Sequence, residues 1–550
     1  MESDTGEEKS YTENSNCCKE IRIVLLGGKF CGKSETGNTI LGCEGFDHED
    51  ETVGNTVRHG EVAGRWRVTL VESPGWWKTL YPDETLELTK MALIQSVCLC
   101  APGPHAFLLV VDLDSILEEK SGKSVEEHLE LLGDGVWNHT LVLLKYGTWQ
   151  QTYTTVGEYM EKRGKVLRRI VEKCSGRSHI LNNNNYKSSR TQVIVLLEKI
   201  EKMVAANGGK LFEVDAEVAQ DVERRMTDVN KKAKEREMGS KADRDALRET
   251  YKDEMYHLPE IKLLLAGWFL SGKTRVADTI LGIPLGERKR THHSELRQSQ
   301  VGRWMVQLVD TPGWLRFSSL KDTPEMVKQE IIRGVSLCSP GPHAIILVVS
   351  ASVAFTKAHL RSIREHMSLL APDVWRHTLV LFSWCDSIGG TTVEQFIESE
   401  GSALQLLLRK CNNRYHSFNI RSDDRTQVTG LLEKIEWMVA ENSILRLSAN
   451  ETEKWEEEEA VTETMSPLGE SLVEMFENVY KGKEEDLIMS LRRILVRQED
   501  THSISQPPDM SDEECESNER KLSTWLREQQ CTREDTSEYH SDLESLWSNQ

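Results

Sequence analysis

The sequence predicts an α/β fold present twice: two domains, each with a mostly parallel central sheet covered by helices, joined by a helical connector and followed by an acidic, partly disordered C-terminal region. Three observations predict it. Pro102-Gly103-Pro104-His105-Ala106 returns 238 residues later as Pro340-Gly341-Pro342-His343-Ala344. Apolar runs of strand length alternate with helical stretches in each copy. Each copy also opens with the same glycine-rich turn between an apolar run and a helix.

The repeat extends well beyond the Pro-Gly-Pro box. Trp137 and His139-Thr140-Leu141-Val142-Leu143 return as Trp375 and His377-Thr378-Leu379-Val380-Leu381, and Thr39-Ile40-Leu41-Gly42 returns as Thr279-Ile280-Leu281-Gly282. So long a period excludes a solenoid and indicates a duplicated domain. In the first copy, residues 21–26 read as a buried strand and a helix starts at Lys33. Residues 68–71, 107–111 and 141–144 read as further strands, and 84–97, 125–132 and 156–174 as helices. The expected division is 1–20, an acidic N-terminus; 21–206, the first domain; 207–257, the connector; 258–443, the second domain; and 444–550, an acidic region, helical then disordered. The charge density of 214–252 predicts a solvent-exposed helix. Ligands of such sheets bind at the carboxyl ends of the strands.

The 550 residues carry a net charge of −21, and residues 451–550, with 10 basic and 27 acidic side chains, account for −17 of it. The remaining −4 shows no basic stripe for nucleic-acid phosphates, so no nucleic-acid partner is expected. No apolar run reaches the roughly 18–20 residues of a spanning helix, and the N-terminus does not read as a signal peptide, so no transmembrane anchor is expected. Twelve scattered cysteines read as free thiols of a cytoplasmic protein, with lipidation the alternative for Cys17 and Cys18.

Gly27-Gly28-Lys29-Phe30-Cys31-Gly32-Lys33-Ser34 fits G-x4-G-K-[ST], and Gly267-Trp268-Phe269-Leu270-Ser271-Gly272-Lys273-Thr274 fits it again. Glycines let backbone N–H groups turn toward phosphates, the lysine neutralises β/γ charge and the hydroxyl holds Mg²⁺. Candidate phosphate-binding residues are therefore Gly27, Gly28, Lys29, Cys31, Gly32, Lys33, Ser34 and Glu35, and Gly267, Ser271, Gly272, Lys273, Thr274 and Arg275. A downstream acid should position the metal. Val309-Asp310-Thr311-Pro312-Gly313 supplies Asp310, whereas Val71-Glu72-Ser73-Pro74-Gly75 supplies Glu72, one methylene longer. The metal set is thus Ser34 with Glu72 and Thr274 with Asp310, and Gly75 and Gly313 are the γ-phosphate sensors. Mg²⁺ demands near-octahedral geometry, so Glu72 predicts a weaker first site. Trp76 and Trp314 follow those glycines, where many GTPases place a water-orienting Gln, which predicts slow hydrolysis.

These motifs, with Glu35-Thr36-Gly37-Asn38-Thr39-Ile40-Leu41-Gly42 and the Pro-Gly-Pro-His-Ala box, resemble the GTPase of immunity-associated proteins (GIMAP) family, the immune-associated nucleotide-binding GTPases, which is similar to septins. The resemblance covers about 21–206 and 258–443. It implies two septin-like P-loop NTPase domains, GTP or GDP with Mg²⁺ as ligand, self-association through the G domains, and a role in immunity. It also implies Thr52 and Thr291 as switch threonines, with Thr56 a rival in the first copy. In that family a [T/N]-x-x-D motif after the fifth strand reads guanine through a carboxylate. Ser383-Trp384-Cys385-Asp386 keeps the carboxylate, whereas Lys145-Tyr146-Gly147-Thr148 has Thr148 in its place. Asn182 and Asn419 resemble the family's base-contacting Asn. His105 and His343 read as structural, since nothing near them calls for a general base.

The expected protein is a tandem guanine-nucleotide-binding switch whose second domain is the more competent, either a slow GTPase or a nucleotide-controlled assembly protein. A nucleotide-bound scaffold without turnover and an ATP-dependent enzyme are the alternatives, and Asp386 argues against the latter. No catalytic residue, effector or pathway is assigned.

Overall fold

The computed structural model describes residues 19–46, 54–112, 117–133, 135–145, 164–181, 190–250, 258–284, 291–371, 373–420, 422 and 424–448. Thr52, Asn182, Thr148, Cys17, Cys18 and, of the acidic C-terminal region, residues 449–550 lie outside the described residues.

The first copy contains β1 (Lys19–Leu26), α1 (Lys33–Leu41), β2 (Thr56–Val62), β3 (Trp66–Glu72), α2 (Glu87–Cys98), β4 (Ala106–Asp112), α3 (Glu119–Glu130), β5 (Thr140–Lys145), α4 (Lys165–Lys173), β6 (Ser178–Leu181) and α5 (Arg190–Ala206). The connector is α6 (Ala216–Thr250). The second copy contains β7 (Glu260–Ala266), α7 (Lys273–Leu281), β8 (Glu295–Val301), β9 (Trp304–Asp310), α8 (Glu325–Leu337), β10 (Ala344–Ser350), α9 (Lys357–Met367), β11 (Thr378–Ser383), α10 (Val393–Ser399), α11 (Ser402–Lys410), β12 (Tyr415–Ser417) and α12 (Thr426–Ser448).

Each copy forms a six-stranded sheet, in the orders β2-β3-β1-β4-β5-β6 and β8-β9-β7-β10-β11-β12. All neighbours are parallel except β2 with β3 and β8 with β9. The central strands are continuous apolar runs because both faces are covered by helices: every residue of β4 and of β10 is buried. The edge strands β2, TVRHGEV, and β8, ELRQSQV, are polar and largely solvated, as an edge must be to resist pairing with other chains. Their weak apolar pattern is why sequence periodicity passes over them.

The strand and helix expectations are otherwise met with shifted ends. The first predicted helix starts at Glu87 rather than 84, because Leu86 is its extended N-cap; the second spans Glu119–Glu130. The helix predicted over 156–174 is described as Lys165–Lys173. The connector requires a correction. Its helix, about 50 Å long by rise per residue, is not solvent-exposed throughout. Val222, Val229 and Ala233 are buried, and it packs along α2 and α10. Arg225 pairs with Glu87 at 3.0 Å, and Arg236 pairs with the buried Glu398 at 2.6 Å. A charged composition hides such a helix, since three small or branched apolar residues among many charges generate little periodic signal.

Candidate nucleotide site

Both phosphate loops connect a central strand to a helix, at the carboxyl edge of the sheet. Gly27 and Gly267 take φ of 153° and 147°, and a Cβ there would lie 2.8 Å from Val110 O and 2.6 Å from Val348 O. Gly32 and Gly272, at φ of 90° and 91°, turn the chain into α1 and α7. The loops then hold Lys33 and Lys273 along their inner side: Lys33 Nζ donates to Gly28 O at 3.2 Å, and Lys273 Nζ donates to Gly267 O and Trp268 O, each at 3.0 Å. Burial pushes the Lys273 ammonium down to about 8, partly opposed by the Asp310 carboxylate. A dry ammonium aimed at its own carbonyls is poised for a polyanion.

The residues expected to hold metal meet around that lysine in the second copy. Thr274 Oγ1 donates to Asp310 Oδ2 at 2.7 Å, and Thr291 Oγ1 lies 3.1 Å from Thr274 Oγ1 and 3.4 Å from Asp310 Oδ2. Asp310 Oδ1 is buried with no hydrogen-bond partner among the described residues. Two hydroxyls and a buried carboxylate form a hard oxygen set suited to Mg²⁺. Desolvation raises the Asp310 pKa, an effect opposed by Lys273, Thr274 and Arg297. In the first copy Ser34 Oγ donates to Glu72 Oε1 at 2.7 Å, so the longer acid reaches the same hydroxyl. Thr56 opens β2 opposite Glu72, where the second copy has Glu295 opposite Asp310. Thr291 precedes Glu295 by four residues, and Thr52 lies outside the described residues.

Gly75 and Gly313 pack against the lysines. A Cβ at Gly75 would fall 2.7 Å from Lys33 Nζ and 2.8 Å from Lys29 N, and one at Gly313 would fall 2.6 Å from Lys273 Nζ and 2.5 Å from Phe269 N. The next residues are bridged to the phosphate loops, Trp76 to Gly28 and Trp314 to Trp268. Trp76 and Trp314 are buried, stacked on His128 and His366 at 4.6 Å in both copies. Each histidine bridges Nε2 to a threonine hydroxyl of the segment after the glycine, Thr85 at 2.9 Å and Thr323 at 2.7 Å, and Nδ1 to a helix carbonyl. Burial pushes His128 down to about 4 and lowers His366, disfavouring the charged form of both rings. Sequence reasoning missed this Trp–His–Thr arrangement. Its only signal was the shared spacing of Trp, Thr and His in the two copies.

On the base side, Ser383 Oγ donates to Ser271 O at 2.6 Å, and Trp384, at φ 60°, packs over Gly272. Asp386 follows in a short turn, and Asn419 lies beyond β12 in the neighbouring loop, where its backbone is held by Gln427. The equivalent of Ser383 is Lys145, whose ammonium pairs with Glu35 and lies over Gly32. Glu35 is thereby occupied by a side chain of its own domain. Lys29 likewise extends away from its loop, with Nζ donating to Ser387 O at 3.2 Å. Cys31 and Ser271 are buried beneath their loops, and Arg275 sits in the first turn of α7. His105 Nδ1 and His343 Nδ1 each accept the backbone N–H of the first strand, from Arg22 at 3.0 Å and Lys262 at 2.9 Å.

The AIG1 family model matches residues 21–234 and again 261–466, most of the chain. The chain belongs to the AIG1 family. It is 27% identical over 450 residues to human GTPase IMAP family member 8, covering 78% of this chain and 64% of that protein, and 25% identical to the mouse protein, covering 75% and 54%. Immune-associated nucleotide-binding protein 9 of Arabidopsis thaliana is 26% identical over 204 residues, 34% of this chain and 57% of that one. This AIG1-family chain thus spans under two thirds of the length of these relatives. Among solved structures, Arabidopsis Toc33 in complex with GDP and Mg²⁺ aligns with 15% identity and a TM-score of 0.29 over 36% of this chain and 88% of that one. No described helix is long and apolar enough to cross a membrane.

Proposed function

We propose that this protein is a tandem guanine-nucleotide-binding switch in which the second domain is the competent site. The observation that carries the reading is the convergence of Lys273, Thr274, Thr291, Asp310 and Gly313 at one end of β7 and β9, with Asp386 beyond β11. Lys273 and the N-terminal turn of α7 would take the β- and γ-phosphates, and Thr274, Thr291 and Asp310 would hold Mg²⁺, which neutralises phosphate charge when bound. Asp386 and Asn419 would read guanine. In the first domain Lys33, Ser34 and Glu72 repeat the phosphate and metal positions, but Lys145 and Thr148 replace the base-reading pair. That domain is proposed to bind nucleotide weakly or without base preference.

Slow turnover is part of the proposal. Trp314 is buried on His366, and an indole, a donor only, lacks the acceptor by which a Gln at the position after the γ-phosphate glycine orients water. This favours an assembly switch, or a nucleotide-bound scaffold, over a fast enzyme. The names of the immune-associated relatives support a role in immunity, and eight described cysteines, all free thiols, support a cytoplasmic setting. The deciding experiment is to denature the purified chain and identify the nucleotide released. GDP or GTP near one molecule per chain is expected; adenine nucleotide, or none with none taken up on incubation with GTP and Mg²⁺, would overturn the reading.

A further inference from the structure

The segment that follows Gly75 does not end at its own site. Trp77 is buried, and its indole Nε1 donates to Ser352 O of the second copy at 3.0 Å. Ala354 N donates to Glu84 O at 3.0 Å, and Arg316 pairs with Glu84 at 3.0 Å, the two side chains only 11% and 4% exposed. Leu86 joins the hydrophobic core of the second copy. The buried Glu400 carboxylate accepts the backbone N–H of Phe355 at 2.8 Å and that of Glu87, the first residue of α2, at 3.0 Å. Residues 77–87 of the first domain are thus seated on a wall of the second, formed by the loop after β10, Arg316 and Glu400. The seating is one-sided. Leu315, the counterpart of Trp77, is 44% exposed.

A second thread joins the two nucleotide loops themselves. Lys29 Nζ, over the Trp77 ring at 4.9 Å, donates to Ser387 O. Ser387 is the residue after Asp386, and both its N–H and its hydroxyl donate to Trp384 O, at 2.9 and 2.6 Å. Trp384 in turn covers Gly272 of the second phosphate loop. A continuous path therefore runs from the first phosphate loop, through Lys29, to the base loop and phosphate loop of the second domain.

We propose that the first domain is a built-in regulator of the second, docked through residues 77–87 so as to brace the base loop at Ser387 and hold nucleotide in the second site. The proposal rests on the guanine-nucleotide reading above. The physical reason is local. A base loop tied from outside by Lys29 loses freedom to swing away, so opening the domain contact frees Ser387 and Trp384 and shortens nucleotide residence. Conversely, a ligand that enters between Gly75 and Lys33, which already pack together, displaces Gly75 and with it Trp76, Trp77 and the docked segment. Coupling of this kind requires two arrangements, docked and undocked, that both sites bias.

Charge reversal across Glu84 and Arg316 tests it in the full-length chain. Glu84→Arg and Arg316→Glu each place like charges together in a buried contact, whereas the double variant restores an opposite pair. The two readouts are the radius of gyration by small-angle scattering and the rate at which a fluorescent GDP derivative leaves the second site, in a Lys33→Ala background that silences the first. Each single variant is expected to expand the particle and speed release by about tenfold or more, and the double variant to return both toward the parent. Expansion with unchanged release would overturn the coupling, and unchanged dimensions in both single variants would overturn the docking. If a single variant fails to fold, the double variant together with Lys29→Met still decides: faster release from Lys29→Met is expected, and unchanged release overturns the path. A parent chain that takes up no guanine nucleotide sinks the functional reading and this one together, whereas uptake with insensitive release sinks this one alone.

Discussion

Lys273 and Lys33 occupy the same place in their loops, yet their surroundings differ in charge and reach. Around Lys273 lie the short Asp310, two hydroxyls and Arg297, which joins Asp310 at 3.2 Å to the buried Asp278 at 2.8 Å. Around Lys33 the acid is Glu72, and Asn38 replaces Asp278, its side chain spent on the backbone of residues 45 and 46. Lys273→Ala is therefore expected to abolish most GTP binding measured by calorimetric titration, and Lys33→Ala to remove a smaller part. Equal losses would show two equivalent sites. Gly313→Ala gives a sharper steric prediction. Its methyl would have to fit within 2.6 Å of Lys273 Nζ and 2.5 Å of Phe269 N, both closer than carbon tolerates. The variant should fold but lose affinity for a GTP analogue by tenfold or more while keeping GDP within a few-fold, as read by competition titration. Equal affinity losses for both would mean that the whole loop has moved.

Helix α2 shows how an element can be held by something outside its own domain. Its first residue, Glu87, offers a backbone N–H with no partner inside the helix, and Glu400 of the other copy accepts it. Burial pushes the Glu400 carboxyl up to about 7, with Glu87 raising it and Lys90 and the two backbone donors lowering it; Arg225 pairs with Glu87 beside them. Since the folded value lies above the ordinary one, the native state binds this proton more tightly than the unfolded chain does. Its stabilising effect is complete below about pH 4, and is lost as pH rises through 7. Glu400→Gln removes the titration. The stability of the parent relative to this variant should fall between pH 5 and pH 8 by on the order of 3 kcal/mol, or roughly two units of pH at 1.36 kcal/mol each. A pH-independent difference, in chemical denaturation followed at both pH values, would show that Glu400 does not titrate in this range.

At the scale of the molecule, duplication places the two phosphate loops in one compact unit, so that on the proposed reading one copy would supply what a second chain otherwise brings. A partner tethered by a connector acts at a high effective concentration, independent of protein concentration. GTP turnover per chain by the full-length protein is accordingly expected to stay constant over a wide dilution series. Turnover that climbs with concentration, together with a rise in particle mass on adding a non-hydrolysable GTP analogue, would mean that chains pair with one another and that the internal contact does not substitute for them.

Much of this was legible in the residues. Two phosphate loops, the acids that end β3 and β9, the buried strands and the duplication are local patterns, because glycine conformation, apolar periodicity and a lysine beside a hydroxyl each declare themselves over a few positions. So were the family and the mismatch of Lys145 and Thr148 with Asp386. The polar edge strands β2 and β8 were not legible, since an edge has no apolar code, nor was the burial of Val222, Val229 and Ala233 in a charged helix. Trp76 and Trp314 show the limit most directly. The sequence determined which residue follows each glycine, but only the tertiary structure decided that the indoles turn inward onto His128 and His366, more than forty residues away. The seating of residues 77–87 against Arg316, Ala354 and Glu400 depends likewise on partners more than two hundred residues distant, and burial by such partners leaves no periodic trace in the segment it covers.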